Sequence, residues 1–129
     1  QHPGSAAVQA TACGVLGALA AEDPESQRAA GGAGAMEALA AALRGHAESV
    51  EVQERACEAV GLVAAGDGEN QALARKTGAL EAVAQLLRQR PSCAPLQARA
   101  LQTLRLLLFR CPESTRAVVA AGGVEEAFR

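Results

Sequence analysis

The chain has 129 residues and a net charge of −2, and half of its residues are hydrophobic, yet only Phe109 and Phe128 are aromatic. A sheet protein normally carries more aromatic and β-branched residues, so an apolar half made of Ala, Leu and Val favours closely packed helices. No apolar run approaches the roughly 18 residues of a membrane span, and the net charge gives no general attraction to nucleic acid, so neither a membrane protein nor a nucleic-acid-binding protein is expected.

In chain order, the sequence predicts a long helix, then two rounds of a short, a middle and a long helix, and one more short helix. Asp23 precedes Pro24, and Asp67 marks the next short helix, because Asp caps a helix and Pro suits its first position. Gly34 and Gly78 predict turns that need a residue without a side chain. Apolar residues recur every three or four positions in the middle and long helices. The predicted helices cover Ala6–Ala21, Pro24–Ala30, Ala35–Arg44, Val50–Ala65, Gly68–Lys76, Ala79–Arg88, Pro95–Arg110 and Pro112–Ala120.

The same residues return at an interval of 44 positions, without gaps. Val-Gln at 8–9 recurs as Val-Gln at 52–53 and Leu-Gln at 96–97, and Gly-Ala-Met-Glu at 34–37 recurs as Gly-Ala-Leu-Glu at 78–81. So regular an interval predicts one structural unit used repeatedly. We predict a single segment of a longer array, with the end of a unit at 1–21, units at 22–65 and 66–110, and the start of another at 111–129.

A unit of this kind resembles the armadillo repeat. The motif GALEAVAQLLR at 78–88 is similar to the family's second helix, and VQERACEAVGLVAA at 52–65 is similar to its third, with Ala56 and Ala59 at the usual small positions. The interval fits the ~40–47 residues of armadillo and HEAT units and excludes the ~33–34 of ankyrin and TPR units. The resemblance covers essentially the whole chain. It implies an all-α, right-handed superhelical solenoid of three-helix armadillo-type repeats.

Armadillo domains bind partner proteins along the concave face of their stacked third helices, so the resemblance implies a non-catalytic interaction scaffold. Well-studied members carry a Trp and an Asn on that face. Neither residue type occurs at the corresponding positions here, so the peptide contacts that they make are not expected in this chain. The third-helix face, as we call it, consists instead of Thr11, Gly14, Ala18, Arg55, Glu58, Leu62, Arg99, Gln102 and Leu106.

Six residues of the third-helix face are our candidate partner-binding residues. The first helix contributes only small side chains, whereas each of the other two offers an Arg, a polar group and a Leu, which suit a partner with acidic and apolar side chains. The alternative is an ordinary solvated surface, with Glu51 and Arg55 joined as an i, i+4 ion pair. The six candidates are Arg55, Glu58, Leu62, Arg99, Gln102 and Leu106.

Other chemistry finds little support in the sequence. Cys13 and Cys57 fall on the apolar stripes of two long helices and are expected to be buried, and without a CxxC or HxxxH spacing we expect no metal and no cofactor. Free thiols favour an intracellular location, cytoplasmic or nuclear. His2 and His46 have no catalytic partner, so no enzyme is expected. The glycine-rich segment 29–35 lacks the Lys-Ser/Thr of a phosphate loop and is predicted to be a turn.

Charge is divided unevenly along the chain, with a net −7 over residues 1–70 and a net +5 over residues 71–129. No Tyr or Trp and only two Phe residues accompany the basic residues of the second half for stacking on nucleic-acid bases, so an acidic protein partner fits this half better than nucleic acid. Two alternatives remain open. One is a structural assembly segment of a large complex, with self-association through the exposed ends of the repeats. The other is a regulatory array attached to an enzyme elsewhere in the full chain.

Overall fold

The structure, a computed structural model, describes residues 5–120. Every regular element in that range is an α-helix, which confirms the predicted all-α class. No helix among these residues is both long and apolar enough to cross a membrane. The predicted unit at 111–129 lies outside the described residues beyond its first helix. The helices are α1 (Ala6–Ala20), α2 (Pro24–Gly32), α3 (Ala35–Gly45), α4 (Val50–Ala64), α5 (Gly68–Thr77), α6 (Ala79–Gln89), α7 (Ala94–Leu108) and α8 (Pro112–Ala120).

Short polar side chains begin the helices where the sequence predicts it. Asp23 Oδ1 accepts a hydrogen bond from the backbone N–H of Ser26 at 2.7 Å, and Asp67 Oδ1 accepts one from Asn70 at 2.9 Å. Each bond satisfies an N–H group that the first turn of a helix leaves free. The bond from Ser26 also lowers the pKa of the Asp23 carboxyl below its ordinary value. Ser49 caps α4 in the same way.

Glycines separate the short helices from the middle ones. Gly34 and Gly78 have φ values of 95° and 88°, a left-handed conformation that L side chains rarely adopt. The predicted turn at 29–35 is wrong in its first part, because α2 continues past Gly31. A Cβ on Gly31 would overlap the side-chain amide of Asn70, so this glycine makes room for a neighbouring helix rather than for a turn.

Helices that start 44 residues apart lie side by side. The long helices contact one another in order, α1 with α4 and α4 with α7, and the middle helices α3 and α6 are also in contact. The short helices α2, α5 and α8 follow the same order. Small aliphatic residues fill the core, as the composition indicates. The predicted stripe of α4 is buried throughout, at Val52, Ala56, Cys57, Val60, Val63 and Ala64.

Glutamines on the long helices donate hydrogen bonds to carbonyls at the ends of the middle helices. Gln53 is 1% exposed, and its Nε2 donates to the carbonyl of Leu43 at 2.8 Å and to that of His46 at 3.1 Å. Leu43 lies in the last turn of α3 and His46 is the C-cap residue of α3, and a helix leaves the C=O groups at this end without partners. Gln97 donates to the equivalent carbonyls of Leu87 and Arg90 at the end of α6. The amide thus anchors each long helix to the middle helix before it.

A second pair of glutamines connects the short helices to the ends of the long ones. Gln27 Nε2 on α2 donates to the carbonyls of Leu62 and Ala65 at 3.0 and 2.6 Å. Gln71 Nε2 on α5 donates to the equivalent carbonyls at the end of α7, at 3.1 and 2.9 Å. Each group of short, middle and long helices is therefore joined by two glutamine side chains.

Glycine and a buried hydroxyl set the contacts between successive long helices. A Cβ on Gly17 would lie 3.2 Å from Cα and Cβ of Ala59, so α1 and α4 approach closely at that point. A Cβ on Gly61, one interval later, would lie 3.1 Å from Leu106 Cδ1 and 3.3 Å from Thr103 Oγ1 on α7. The hydroxyl of Thr103 on α7 donates to the carbonyl of Cys57 on α4 at 2.9 Å. Close packing and one directed bond together hold α7 against α4.

Replacing the buried amide in Gln53→Ala should lower the free energy of unfolding by about 1–3 kcal/mol, because the carbonyls of Leu43 and His46 lose their donor. Urea unfolding followed by circular dichroism measures the change. Gln85→Ala is the control, since Gln85 is exposed on α6, and a surface substitution of this kind stays within about 0.5 kcal/mol. Equal losses in the two variants would contradict the role assigned to the Gln53 amide.

Candidate functional site

The six candidate partner-binding residues lie on two neighbouring helices, three on α4 and three at the equivalent positions of α7. Spacings of three and four residues place the three residues of each helix on one side of it. All six residues are at least partly exposed to solvent. Arg55, Glu58 and Gln102 are exposed, and Leu62, Arg99 and Leu106 are half-buried.

Five of the six line one shallow depression of about 160 Å³ between α4 and α7. Arg55 is the exception, because it lies one turn before Glu58 and outside this depression. The structure therefore brings Leu62 and Leu106 together with three polar side chains, as the pattern predicts. The lining consists of Glu58, Leu62, Arg99, Gln102, Thr103, Arg105 and Leu106.

Thr103 and Arg105 are lining residues that the sequence pattern did not point out. Thr103 is buried and bonded to α4, whereas Arg105 is exposed and adds positive charge to the depression. Comparing residues 44 positions apart would have pointed to Arg105, because the equivalent positions of α1 and α4 hold Gly17 and Gly61. A charged side chain thus replaces a glycine at the depression.

The two leucines reach back across the preceding long helix. Leu62 Cδ1 lies 3.2 Å from the position that a Cβ on Gly17 would occupy, and Leu106 Cδ1 lies 3.1 Å from the corresponding position on Gly61. A larger residue than glycine would push each leucine away. The glycines therefore allow each half-buried leucine to form part of an apolar surface that spans two helices.

The charged residues pair between helices rather than along one helix. Arg99 Nη1 lies 3.7 Å from Glu58 Oε2 and donates to Gln102 Oε1 at 3.4 Å. The side chains of this ion pair are 35% and 46% exposed, so its net stabilisation is about 0–1 kcal/mol. The expected Glu51–Arg55 pair is wrong: within residues 5–120 no ion pair joins them, since Arg55 extends toward α1 instead.

The four cysteines are free thiols. Cys13 and Cys57 are buried, as the apolar stripe predicts. Burial raises the pKa of the Cys57 thiol to about 11, so the group stays protonated and behaves as a small hydrophobe. Among residues 5–120 no three His, Cys, Asp or Glu side chains come together in a way that could hold a metal ion.

Cys111 differs from the other buried cysteines in its surroundings. It stands at the start of α8, where its Sγ donates to Ser114 Oγ at 3.2 Å and lies 3.7 Å from Arg75 Nη1. Burial raises the pKa of this thiol, but the hydrogen bonds with Ser114 and Arg75 lower it by more, so the pKa lies below its ordinary value. The cluster joins α5 to α8 and is separate from the third-helix face.

Comparison of the chain with protein-family models, with curated proteins and with solved structures finds no match. The resemblance to armadillo repeats stays a prediction from the sequence. A function for the chain therefore has to follow from its own helices and side chains.

Stability should fall as the pH rises from about 9 to about 11, because the Cys57 pKa is raised from 9.0 to about 11 in the folded protein. A thiol whose pKa is higher in the folded than in the unfolded protein stabilises the native state fully at pH values below the unfolded-state pKa. This stabilisation is lost as the pH rises through the folded-state pKa. A shift of about two units corresponds to roughly 2–3 kcal/mol.

Urea unfolding between pH 7.5 and 11 measures this effect. Cys57→Ala should flatten the alkaline fall, whereas Cys93→Ala should keep the wild-type profile, since Cys93 is half-buried at the start of α7. Parallel profiles for wild type and Cys57→Ala would show that another group controls the alkaline loss.

Proposed function

We propose that this chain is a segment of a right-handed armadillo-type solenoid that acts as a non-catalytic scaffold and binds a partner protein. Two observations support the architecture: the starts of all eight described helices follow the 44-residue interval, and the long helices contact one another in order. Stacked repeats bury their apolar stripes against their neighbours and leave an extended surface. The function is drawn by analogy with armadillo proteins.

The observation that carries the proposal is the depression between α4 and α7. It combines Leu62 and Leu106, both half-buried, with the exposed side chains of Glu58 and Gln102, and no helix among residues 5–120 lies over it. Apolar contact at the centre with polar groups around it is typical of protein interfaces. The acidic residues of α4 and the lack of aromatic side chains in the lining of the depression favour protein over nucleic acid.

The place of action that we propose is inside the cell. All four cysteines are free, and a reducing compartment keeps thiols in that state. A partner with acidic and apolar side chains would meet the arginines and leucines of the third-helix face.

Reversing two charges in the double variant Arg55→Glu/Arg99→Glu should weaken capture of the partner by about tenfold or more, since like charges across an interface are repelled. Affinity capture from cell extract with quantitative mass spectrometry compares the variant with wild type. The single variant Arg88→Glu on α6 is the control, because Arg88 is exposed outside the third-helix face. Identical sets of captured proteins from the double variant and wild type would overturn the proposal.

A second candidate function, an assembly segment, is favoured by the outer surface of α1. Val8, Val15 and Leu19 are 60%, 52% and 55% exposed, whereas the equivalent residues of α4 are at most 1% exposed. These three residues of α1 therefore form an apolar stripe like the one that neighbouring helices cover on α4. A contiguous apolar patch of this kind marks an interaction site or a surface for self-association.

Leu19→Glu should reduce self-association of the isolated chain, because it places a charge on the exposed apolar surface of α1. Sedimentation velocity across a hundredfold range of concentration measures the effect. Ala41→Glu, at an exposed position of α3, supplies the same added charge outside the stripe. A wild-type chain that stays monomeric over the whole range would remove support for assembly through α1.

A further inference from the structure

Two arginines at equivalent positions reach back over the long helix that precedes their own. Arg55 on α4 extends over α1, where its Nη1 lies 3.0 Å from the position of a Cβ on Gly14. Arg99 on α7 extends over α4, where its Nη1 lies 3.7 Å from Glu58 Oε2. Gly14 and Glu58 are themselves equivalent, 44 residues apart. The side chain of Arg55 therefore ends beside a glycine, whereas that of Arg99 ends beside a carboxylate.

This difference leaves the two guanidinium groups in different electrostatic states. Arg99 has a carboxylate partner in Glu58 and a hydrogen bond to Gln102. Among residues 5–120, Arg55 has no ion pair and no hydrogen bond from its side chain, and it is exposed. The charge of Arg55 is thus available to a carboxylate from outside the chain, whereas that of Arg99 is already matched.

Apolar surface lies on the same face as the Arg55 guanidinium. Arg55 Nη1 and Leu62 Cδ1 both lie over α1, beside the Cβ positions of Gly14 and Gly17, which are about 5 Å apart along that helix. Leu106 belongs to α7, up to two helix-packing distances from α1, which is about 16–20 Å. An extended peptide advances about 3.3 Å per residue, so at most about six residues separate the two contacts.

We propose that Arg55 anchors a carboxylate of the partner, and that the partner segment is an extended peptide with an Asp or Glu within about six residues of a large aliphatic side chain. That aliphatic side chain packs on Leu62 and Leu106. The inference rests on the protein-binding function proposed above and specifies the chemistry of its ligand.

A carboxylate fits this position better than a phosphate. Arg55 is the one base of α4, and the same helix carries Glu51, Glu54 and Glu58. These acids oppose a group with a charge near −2 more strongly than a single carboxylate, and an aliphatic contact close by suits a peptide.

Selection of random twelve-residue peptides against the full 129-residue chain tests the proposal. The enriched peptides should share an Asp or Glu and a Leu, Ile, Val or Met at one constant spacing of at most about six residues. A synthetic copy of one of them, labelled with fluorescein, then gives dissociation constants by fluorescence anisotropy. Replacing its acidic residue by Gln should weaken binding to wild type by about tenfold.

Gly14→Glu is the decisive variant, since it gives Arg55 the internal partner that Glu58 gives Arg99. The nearest atom to the new Cβ is the flexible end of Arg55 itself, and Glu is a better helix former than Gly, so the fold should persist. We expect Gly14→Glu and Arg55→Gln each to bind the acidic peptide about tenfold more weakly than wild type does. Both variants should bind the Gln peptide as tightly as wild type does. Glu58→Gln, which releases Arg99, should strengthen binding several-fold, and Arg88→Gln should leave it unchanged.

Each possible result decides a different point. Enriched peptides without an acidic residue, or equal binding by wild type, Gly14→Glu and Arg55→Gln, would overturn the anchor while leaving protein binding in place. Failure of any peptide to be enriched would count against the anchor and the proposed function together. Tighter binding of the same peptide with phosphoserine at the acidic position would replace the carboxylate by a phosphate as the preferred group.

Discussion

Hydrogen bonds from glutamine side-chain amides to the carbonyls at helix ends are the interaction on which this fold depends. Packing among Ala, Val and Leu is non-directional, so it favours close helices without fixing how they are turned relative to one another. The amides of Gln27, Gln53, Gln71 and Gln97 supply that direction, and each also satisfies carbonyls that a helix leaves free. Because both pairs recur after 44 residues, each group of three helices is joined in the same way.

Because each group of three helices is joined in the same way, successive long helices contact each other at equivalent residues. The close approach at Gly17 and Gly61 follows from this arrangement, since a side chain at either position would meet the next helix or its leucine. As a consequence, the third-helix face is formed by pairs of helices and not by single ones. Leu62 and Leu106 each lie across the helix before their own, and the arginines do the same.

Helix positions could be predicted from this sequence because their determinants are local. Asp caps, turn glycines and the spacing of apolar residues act within a few residues, and the interval of 44 allowed one copy to support another. The glycine-rich stretch misled the prediction at Gly31, because the reason for that glycine lies on another helix, at Asn70. A local pattern cannot separate a glycine needed for a turn from one needed for close packing.

The composition of the candidate face could be predicted, but the pairing of its charges could not. A spacing of four residues suggested Glu51 as the partner of Arg55, since an i, i+4 pair needs only one helix. Ion pairs between helices depend on how far one helix is shifted along its neighbour. The repeat interval shows which residues are equivalent, but it does not give that shift. Arg99 and Glu58 became recognisable as a pair only when the helices were placed together.

The same geometry explains how a repeated fold can present different chemistry in successive copies. Gly14, Glu58 and Gln102 are equivalent in the helix and point to the same side, so exchanging one for another disturbs little of the core. Gly14, however, lies where Arg55 of the next long helix ends, and Glu58 lies where Arg99 ends. A single residue at this position therefore decides whether that arginine is matched within the chain or available to a ligand. The glutamine bonds that join each group of three helices do not involve this position, so such an exchange leaves the fold in place.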